Sequence, residues 1–212
     1  MSNKMLYHYT TQKGLLGIVE TGEIWATNIF YLNDATEYEY AFKMLKDKIN
    51  EKIEKLEPSP KGIASLIPAL NDIEKQFYYK LIYTLDDLKA SNPFYICSFS
   101  ENKDQLSQWR GYCPKGNGFS IGFNKSLLMK QYGFKLQKCI YGKNKNYGTV
   151  EDLINNSINF LKKPDDEGVA ISVIIDDTVV KAIELFYSIA PTIKHKTFKE
   201  ELEWRLTKKN FL

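Results

Sequence analysis

The chain has 212 residues, 43% hydrophobic and 14% aromatic, which is ample for one substantial core. Its formal net charge is only +3, so no global electrostatic case for nucleic-acid binding exists. No run approaches the roughly 18 apolar residues of a membrane span, and "MSNKMLYHYTT" lacks the apolar stretch of a signal peptide.

"MLYHY" alternates and is aromatic, which predicts a strand with His8 at its centre. In "TTQKGLLGIVETG", Thr10 or Thr11 caps a helix with Leu15, Leu16, Ile18 and Val19 as its apolar face, and Gly22 ends it. "EIWATN" reads as a second short strand. "IFYLNDATEYEYAFKMLKDKINEKIEKLE" takes a helical period from about Thr36, with Asn33 or Asp34 near the cap. "PSPKG" breaks that helix, and "IASLIPALNDIEKQFYYKLIYTLDDLKA" resumes it with a kink at Pro68. The expectation is a single domain over 1–212, with a helical insertion at about 38–92.

"PFYICSFS" is a buried-strand pattern, "DQLSQWRGY" a short helix, and "GNGFSIGF" a strand after a Gly-rich turn. "NKSLLMKQYG" reads as a short helix, "FKLQKCIYG" as a strand, and "TVEDLINNSINFLKK" and "EGVAISVIIDDTVVKAIELFYSIAPTI" as helices. "LEWRLTK" closes as a strand. Strands and helices mix without regular alternation, which favours α+β over a doubly wound sheet. The lysine clusters in "QKCIYGKNKNYG" and "IKHKTFKEE" read as solvated loops.

The chemistry-bearing residues are few. Cys97, Cys113 and Cys139 form no CxxC pair and suit reduced thiols in a cytoplasmic protein. With His8 and His195 as the only imidazoles, no Cys/His zinc pattern can be written, and no metal is expected. There is no GxGxxG, GxxxxGK[ST] or GxSxG. Glu201 and Glu203 stand at alternate positions, so a strand puts both on one face together with Arg205. Arg110 and Arg205 are the only arginines, which makes each a candidate for bidentate contacts.

Each candidate also has a plain structural reading. His8 is either a hydrogen-bonded core residue or a ligand contact. Asn33, Asp34 and Glu37 fit a helix cap with a capping-box acid as well as a pocket edge. Trp109 and Tyr112, at i,i+3, fit core packing, and Arg110 fits a surface ion pair. Ser98 fits an ordinary strand residue, and Glu203–Arg205 an ordinary strand ion pair.

The opening unit resembles the first segment of the ADP-ribosyltransferase superfamily, whose members open with an LYH-x-T strand and an L-x-x-I-x-x-x-G helix. Across the chain, six pieces in order, the opening strand among them, resemble a poorly characterised bacterial domain family. They are Leu6–Thr10, Leu32–Glu37, Cys97–Ser100, Trp109–Tyr112, Gly118–Phe123 and Glu201–Arg205. The transferase resemblance implies a split-sheet core that takes NAD as substrate, with no metal. It implies that His8 bonds a ribose hydroxyl, with Tyr9 and Thr10 beside it, and that a late Glu stabilises the charge as the glycosidic bond breaks. Glu203 is the favoured acid and Glu201 its companion. Asn33, Asp34, Glu37, Ser98, Trp109, Arg110, Tyr112 and Arg205 are the remaining pocket candidates. Tyr9, Tyr31 and Tyr112 compete for the tyrosine of a His–Tyr–Glu triad, and no Ser-Thr-Ser strand is present.

The implied activity is transfer of ADP-ribose to a protein or nucleic acid, or hydrolysis of NAD, as suits a toxin or phage-defence effector. The alternatives are a non-catalytic module that senses a nucleotide or a partner protein, and a nuclease or nucleic-acid-binding protein that uses the lysine clusters.

Overall fold

A computed structural model describes residues 4–31, 36–56, 70–88, 94–113, 117–161 and 168–209. Asn33, Asp34, Pro68 and the "PSPKG" break lie outside the described residues. The chain divides into two compact units, the first made of 1–39, 92–143 and 191–212, the second of 40–91 and 144–190.

The first unit is built on strands. β1 (Met5–Thr11), β2 (Thr27–Asn28), β3 (Phe94–Ser100), β4 (Gly118–Asn124), β5 (Lys135–Lys138) and β8 (Glu203–Lys209) form one antiparallel sheet. Its order is β4-β1-β3-β8-β5, with β2 on β3. β6 (Ile140–Tyr141) and β7 (Ile193–Lys194) form a separate parallel pair. The class is therefore α+β, as the unordered mixture of patterns implies.

Local chemistry explains most boundaries. Helix α1 (Gln12–Thr21) starts where the Thr11 hydroxyl accepts from the Gly14 amide. It stops at Gly22, which takes a left-handed φ of 69° that costs a glycine little. The four-residue helix α5 (Lys125–Leu128) is capped by Asn124, whose side chain accepts from the Ser126 amide. Helix α4 (Leu106–Tyr112) is followed by Cys113, whose thiol donates to the Thr10 carbonyl at 3.3 Å.

Two strand expectations need correction. Of "EIWATN", only Thr27–Asn28 joins the ladder; Ile24 packs against the core of the sheet, but Trp25 is 83% exposed and the segment before Thr27 pairs with no strand among the described residues. "FKLQKCIYG" does not run as one strand. It breaks at Cys139, whose amide donates to the Glu203 carbonyl, and the next residues leave to pair with β7.

The ladder registers assign side chains to faces, because directly opposed residues on antiparallel strands share one. Tyr7 opposes Ser100, Ser100 opposes Glu203, and Ser98 opposes Arg205. These residues share one face. Leu6, Cys97, Phe99 and Leu206 lie on the other, where they pack with Leu128 into a small core, flanked by Trp204, Phe123 and Leu136. His8 belongs to this apolar face, its ring 5.7 Å from that of Phe99.

The sheet is forked. β1 pairs with β4 along all seven residues but with β3 only at Tyr7↔Ser100. β2 occupies the same edge of β3 at Tyr95 and Ile96. Between those contacts, no ladder partner covers that edge of β3 among the described residues.

Among its described residues the second unit holds four helices: α2 (Thr36–Lys55, from Tyr40 on), α3 (Leu70–Leu88), α6 (Lys143–Leu161, from Asn144 on) and α7 (Ile171–Ile189). Its core follows helical spacing, as in Phe42, Leu45 and Ile49, and Val179, Ala182, Ile183 and Phe186. Phe42 and Phe186 meet edge to face at 4.9 Å. The valines and isoleucines of α7, which also suit a strand, are helical because they recur every three or four residues. α6 begins at Lys143, so the "KNKN" stretch read as loop is its first turn.

Candidate functional site

The first unit contains a closed cluster of buried charges. Lys194, on β7, is 3% exposed and touches three carboxylates: Glu37 at 2.9 Å, Glu201 at 2.6 Å and Glu203 at 2.5 Å. Arg205, on β8, holds Glu203 through Nε at 2.8 Å and Nη2 at 3.3 Å. The same Nη2 donates to Glu37 at 2.5 Å, and Nη1 donates to the Pro191 carbonyl at 2.7 Å. The guanidinium is thus used as a fork, as the scarcity of arginine suggested. Three carboxylates face two cations, and burial without such pairing would be costly.

The acids differ in environment. Burial pushes the Glu203 carboxyl up, but Arg205 and Lys194 more than offset this and hold it at about 2. Burial raises the Glu201 carboxyl, and Lys194 only partly reverses the shift. Glu201 is also the most open of the three, its side chain 16% exposed against 3% for Glu203 and 6% for Glu37. Burial raises the Tyr112 hydroxyl to about 12, with Glu203 adding to the effect. The Tyr141 hydroxyl accepts from the Glu203 amide at 2.7 Å.

Glu201 is not on a strand. It ends a 3-10 turn over Lys196–Glu201, and Leu202 follows in the left-handed region at φ 47°. β8 begins only at Glu203. The two acids meet because both reach Lys194, rather than through strand alternation. The Glu201 carbonyl accepts from the Ser100 hydroxyl at 2.7 Å, which anchors the turn at the residue that closes the fork.

His8 stands apart from this cluster. The expected meeting of His8 with the Glu203–Arg205 face does not occur, because the register puts them on opposite faces of the sheet. His8 Nδ1–H donates to the Ser98 carbonyl at 2.9 Å, across the open part of the fork. That bond fixes the tautomer and leaves Nε2 as an acceptor. Burial lowers the imidazole pKa, and the Ser98 bond opposes the shift without reversing it, so the ring is neutral at pH 7.

The remaining candidates are scattered. Tyr9 is on the ionic face, and its hydroxyl donates to the Asn102 carbonyl at 2.8 Å and accepts from the Gln105 amide at 2.9 Å. Trp109 stacks edge-on against Tyr9 at 4.7 Å and donates to Asp104 at 2.7 Å. Both bind α4 to the sheet. Thr10 lies on the His8 face, Ser98 on the ionic face, and Arg110 is exposed on α4. Tyr31 is 81% exposed.

The residue that sequence reasoning missed is Lys194. It sits in "IKHKTFKEE", read as solvated, yet it is the hub of the cluster. Its weak signal is Ile193, an apolar neighbour that is fully buried beside it. Among the described residues, no group of three or more His, Cys, Asp or Glu is arranged to hold a metal ion, since the three glutamates close on cations. No helix among them is long and apolar enough to cross a membrane.

Residues 108–206 match the model of a family described as "Protein of unknown function (DUF2971)". That stretch contains Lys194, Glu201, Glu203 and Arg205 and leaves out His8 and Glu37. No curated protein and no solved structure matches the chain.

Proposed function

We propose that the protein is ADP-ribosyltransferase-like and binds NAD, or a closely related nucleotide, where the sheet forks at His8. The observation that carries this reading is the fork itself. β1 leaves β3 after a single register pair, and His8 reaches across the opening to the Ser98 carbonyl, a neutral ring with Nε2 placed to accept from a hydroxyl. This supports the split-sheet resemblance and the ribose contact it implies.

The reaction follows from the residue types. The nicotinamide–ribose bond breaks, and nicotinamide leaves with the bonding pair. An acceptor hydroxyl, amine or water forms the new bond to the ribose carbon and gives up a proton. Glu201 is the acid best suited to that proton: its side chain is the most open of the three at 16% exposed, and its carboxyl is raised. Because it joins the cluster on the face opposite His8, this role requires the ribose to sit in the fork itself, between the two faces. Glu203 is better suited to positioning, since Lys194 and Arg205 occupy both of its oxygens. An effector that acts on a protein or nucleic acid in a toxin or phage-defence setting fits this chemistry.

A second reading is favoured by the same saturation of Glu203. A site whose strongest acid is fully paired binds a nucleotide without turning it over, as a sensor or a docking module does. Isothermal titration with NAD, together with nicotinamide release, separates the two. The first reading expects binding and release, with His8→Ala weakening NAD about threefold to tenfold for one lost hydrogen bond and Glu201→Gln abolishing release but not binding. Binding without release under any condition selects the second. Absence of binding overturns both.

A further inference from the structure

The near-neutral net charge conceals a strong asymmetry. From 105 to 150 the chain contains no Asp or Glu and eight Lys or Arg. The first unit carries sixteen basic against ten acidic residues and the second thirteen against sixteen, formal charges of +6 and −3 that together give the chain's +3. An imbalance of this kind inside one molecule marks a polyanion surface more directly than the total does.

The structure concentrates part of this charge at one end of the sheet, on the face that carries His8. Lys125 lies 3.7 Å above the Trp204 ring and Lys138 lies 6.0 Å from it. Lys138 and Lys4 both donate to Glu101 Oε1, at 2.9 and 3.2 Å, and Trp204 Nε1 donates to the same oxygen at 2.8 Å. Three ammonium groups thus surround a single carboxylate and an indole. On the same face of β8, Lys208 lies 5.4 Å from the Phe134 ring. It is four residues from Trp204, about 13 Å along an extended strand. In the turn after α5, which comes close to Lys208 at Gly133, Lys130 is exposed and Tyr132 is 100% exposed.

We infer that the surface formed by Lys4, Lys125, Lys130, Lys138, Lys208 and Tyr132 binds single-stranded nucleic acid. The lysines are compact charges suited to a phosphate backbone, without the forked arginines that read guanine edges. An exposed tyrosine beside them offers a ring on which an unpaired base stacks, a face that a duplex hides. A membrane surface fits less well. The exposed apolar residues Leu127 and Met129 sit on and just after a four-residue helix, too short to form an amphipathic face. This inference does not rest on NAD binding, and its test contains no NAD.

The test is fluorescence anisotropy with labelled single-stranded DNA and RNA of about 20 nucleotides, with the matching duplex and with pelleting on phosphatidylserine vesicles. Neutralising about three to four phosphates predicts affinity about thirtyfold weaker at about 200 mM salt than at about 50 mM. Lys130→Gln/Lys208→Gln should reduce both affinity and salt slope, whereas Lys43→Gln/Lys55→Gln in the second unit should change neither. Tyr132→Ala, at a fully exposed position that folding does not use, should weaken single-strand binding about tenfold with the slope unchanged. Equal binding by the Lys130/Lys208 variant and the wild type, preference for duplex, unchanged affinity in Tyr132→Ala, or binding to vesicles alone would each overturn the inference.

Discussion

Replacing Lys194 with methionine keeps the length and apolar stem of the side chain and removes its charge. In the wild type its ammonium meets carboxylates at 2.9, 2.6 and 2.5 Å. Each such contact is worth about 6 kcal/mol in gross terms at an effective dielectric constant near 20, before the cost of desolvating the ammonium is subtracted. Without Lys194, Glu37 and Glu203 share Arg205, and Glu201 loses its only charged partner among the described residues. The cluster passes from three acids against two cations to three against one. Leaving a buried charge uncompensated costs about 3–5 kcal/mol. For a chain of this size that lowers the melting temperature by about 10 °C. Urea unfolding followed by circular dichroism measures the loss. Adding Glu201→Gln to Lys194→Met restores the wild-type charge balance and should recover about 1 kcal/mol. A Lys194→Met protein within about 0.5 kcal/mol of the wild type would refute the view that these charges are desolvated and mutually dependent.

Two further outcomes follow from the same region. The Glu203 carboxyl is held at about 2 against an ordinary 4.5, so the stability it contributes is complete above 4.5 and is lost as pH falls through about 2. Glu201 has the opposite sign: its raised carboxyl contributes stability below 4.5 that is lost as pH rises through its folded value. Glu201→Gln should therefore gain stability relative to the wild type at pH 7 compared with pH 4, while the acid limb is unchanged in denaturation series at the two pH values. At Leu202, whose backbone is left-handed and whose side chain is 37% exposed, Leu202→Gly exchanges strain of about 1–2 kcal/mol for chain entropy of about 0.5–1 kcal/mol. The glycine protein should melt at or slightly above the wild-type temperature, and Leu202→Val should melt several degrees below it.

The strands around 5–11, 94–100, 118–124 and 203–209 were legible because each carries aromatic or β-branched residues bounded by polar turns. The ends of α1 were legible for a local reason: a threonine hydroxyl and a glycine backbone suffice to set them. Pairing was not. Whether His8 and Glu203 share a face depends on a register between strands nearly two hundred residues apart in the chain, set by the Tyr7↔Ser100 and Ser100↔Glu203 steps. No local pattern encodes it. Glu37 shows the same limit. Its position three residues after a cap candidate matches a capping box, which disguises a carboxylate bonded to Lys194 and Arg205. Lys194 was hidden because a lysine among lysines looks solvated until the carboxylates around it are known.

The contact between Arg205 and Glu37 closes a loop of 168 residues. Such closure is entropically expensive and comes late when a chain folds, because the intervening segments must be in place first. Until then, Glu201, Glu203 and Lys194 are better left in water than buried. A collapsed chain that buries them in the wrong order traps an unpaired charge and is driven open again. The cluster should therefore act as a checkpoint on the folding route, with the sheet closing over this face only once Glu37 and the 194–205 segment have met. Folding of the first unit should be correspondingly slow, and a chain truncated before Arg205 should hold β3 without completing that face.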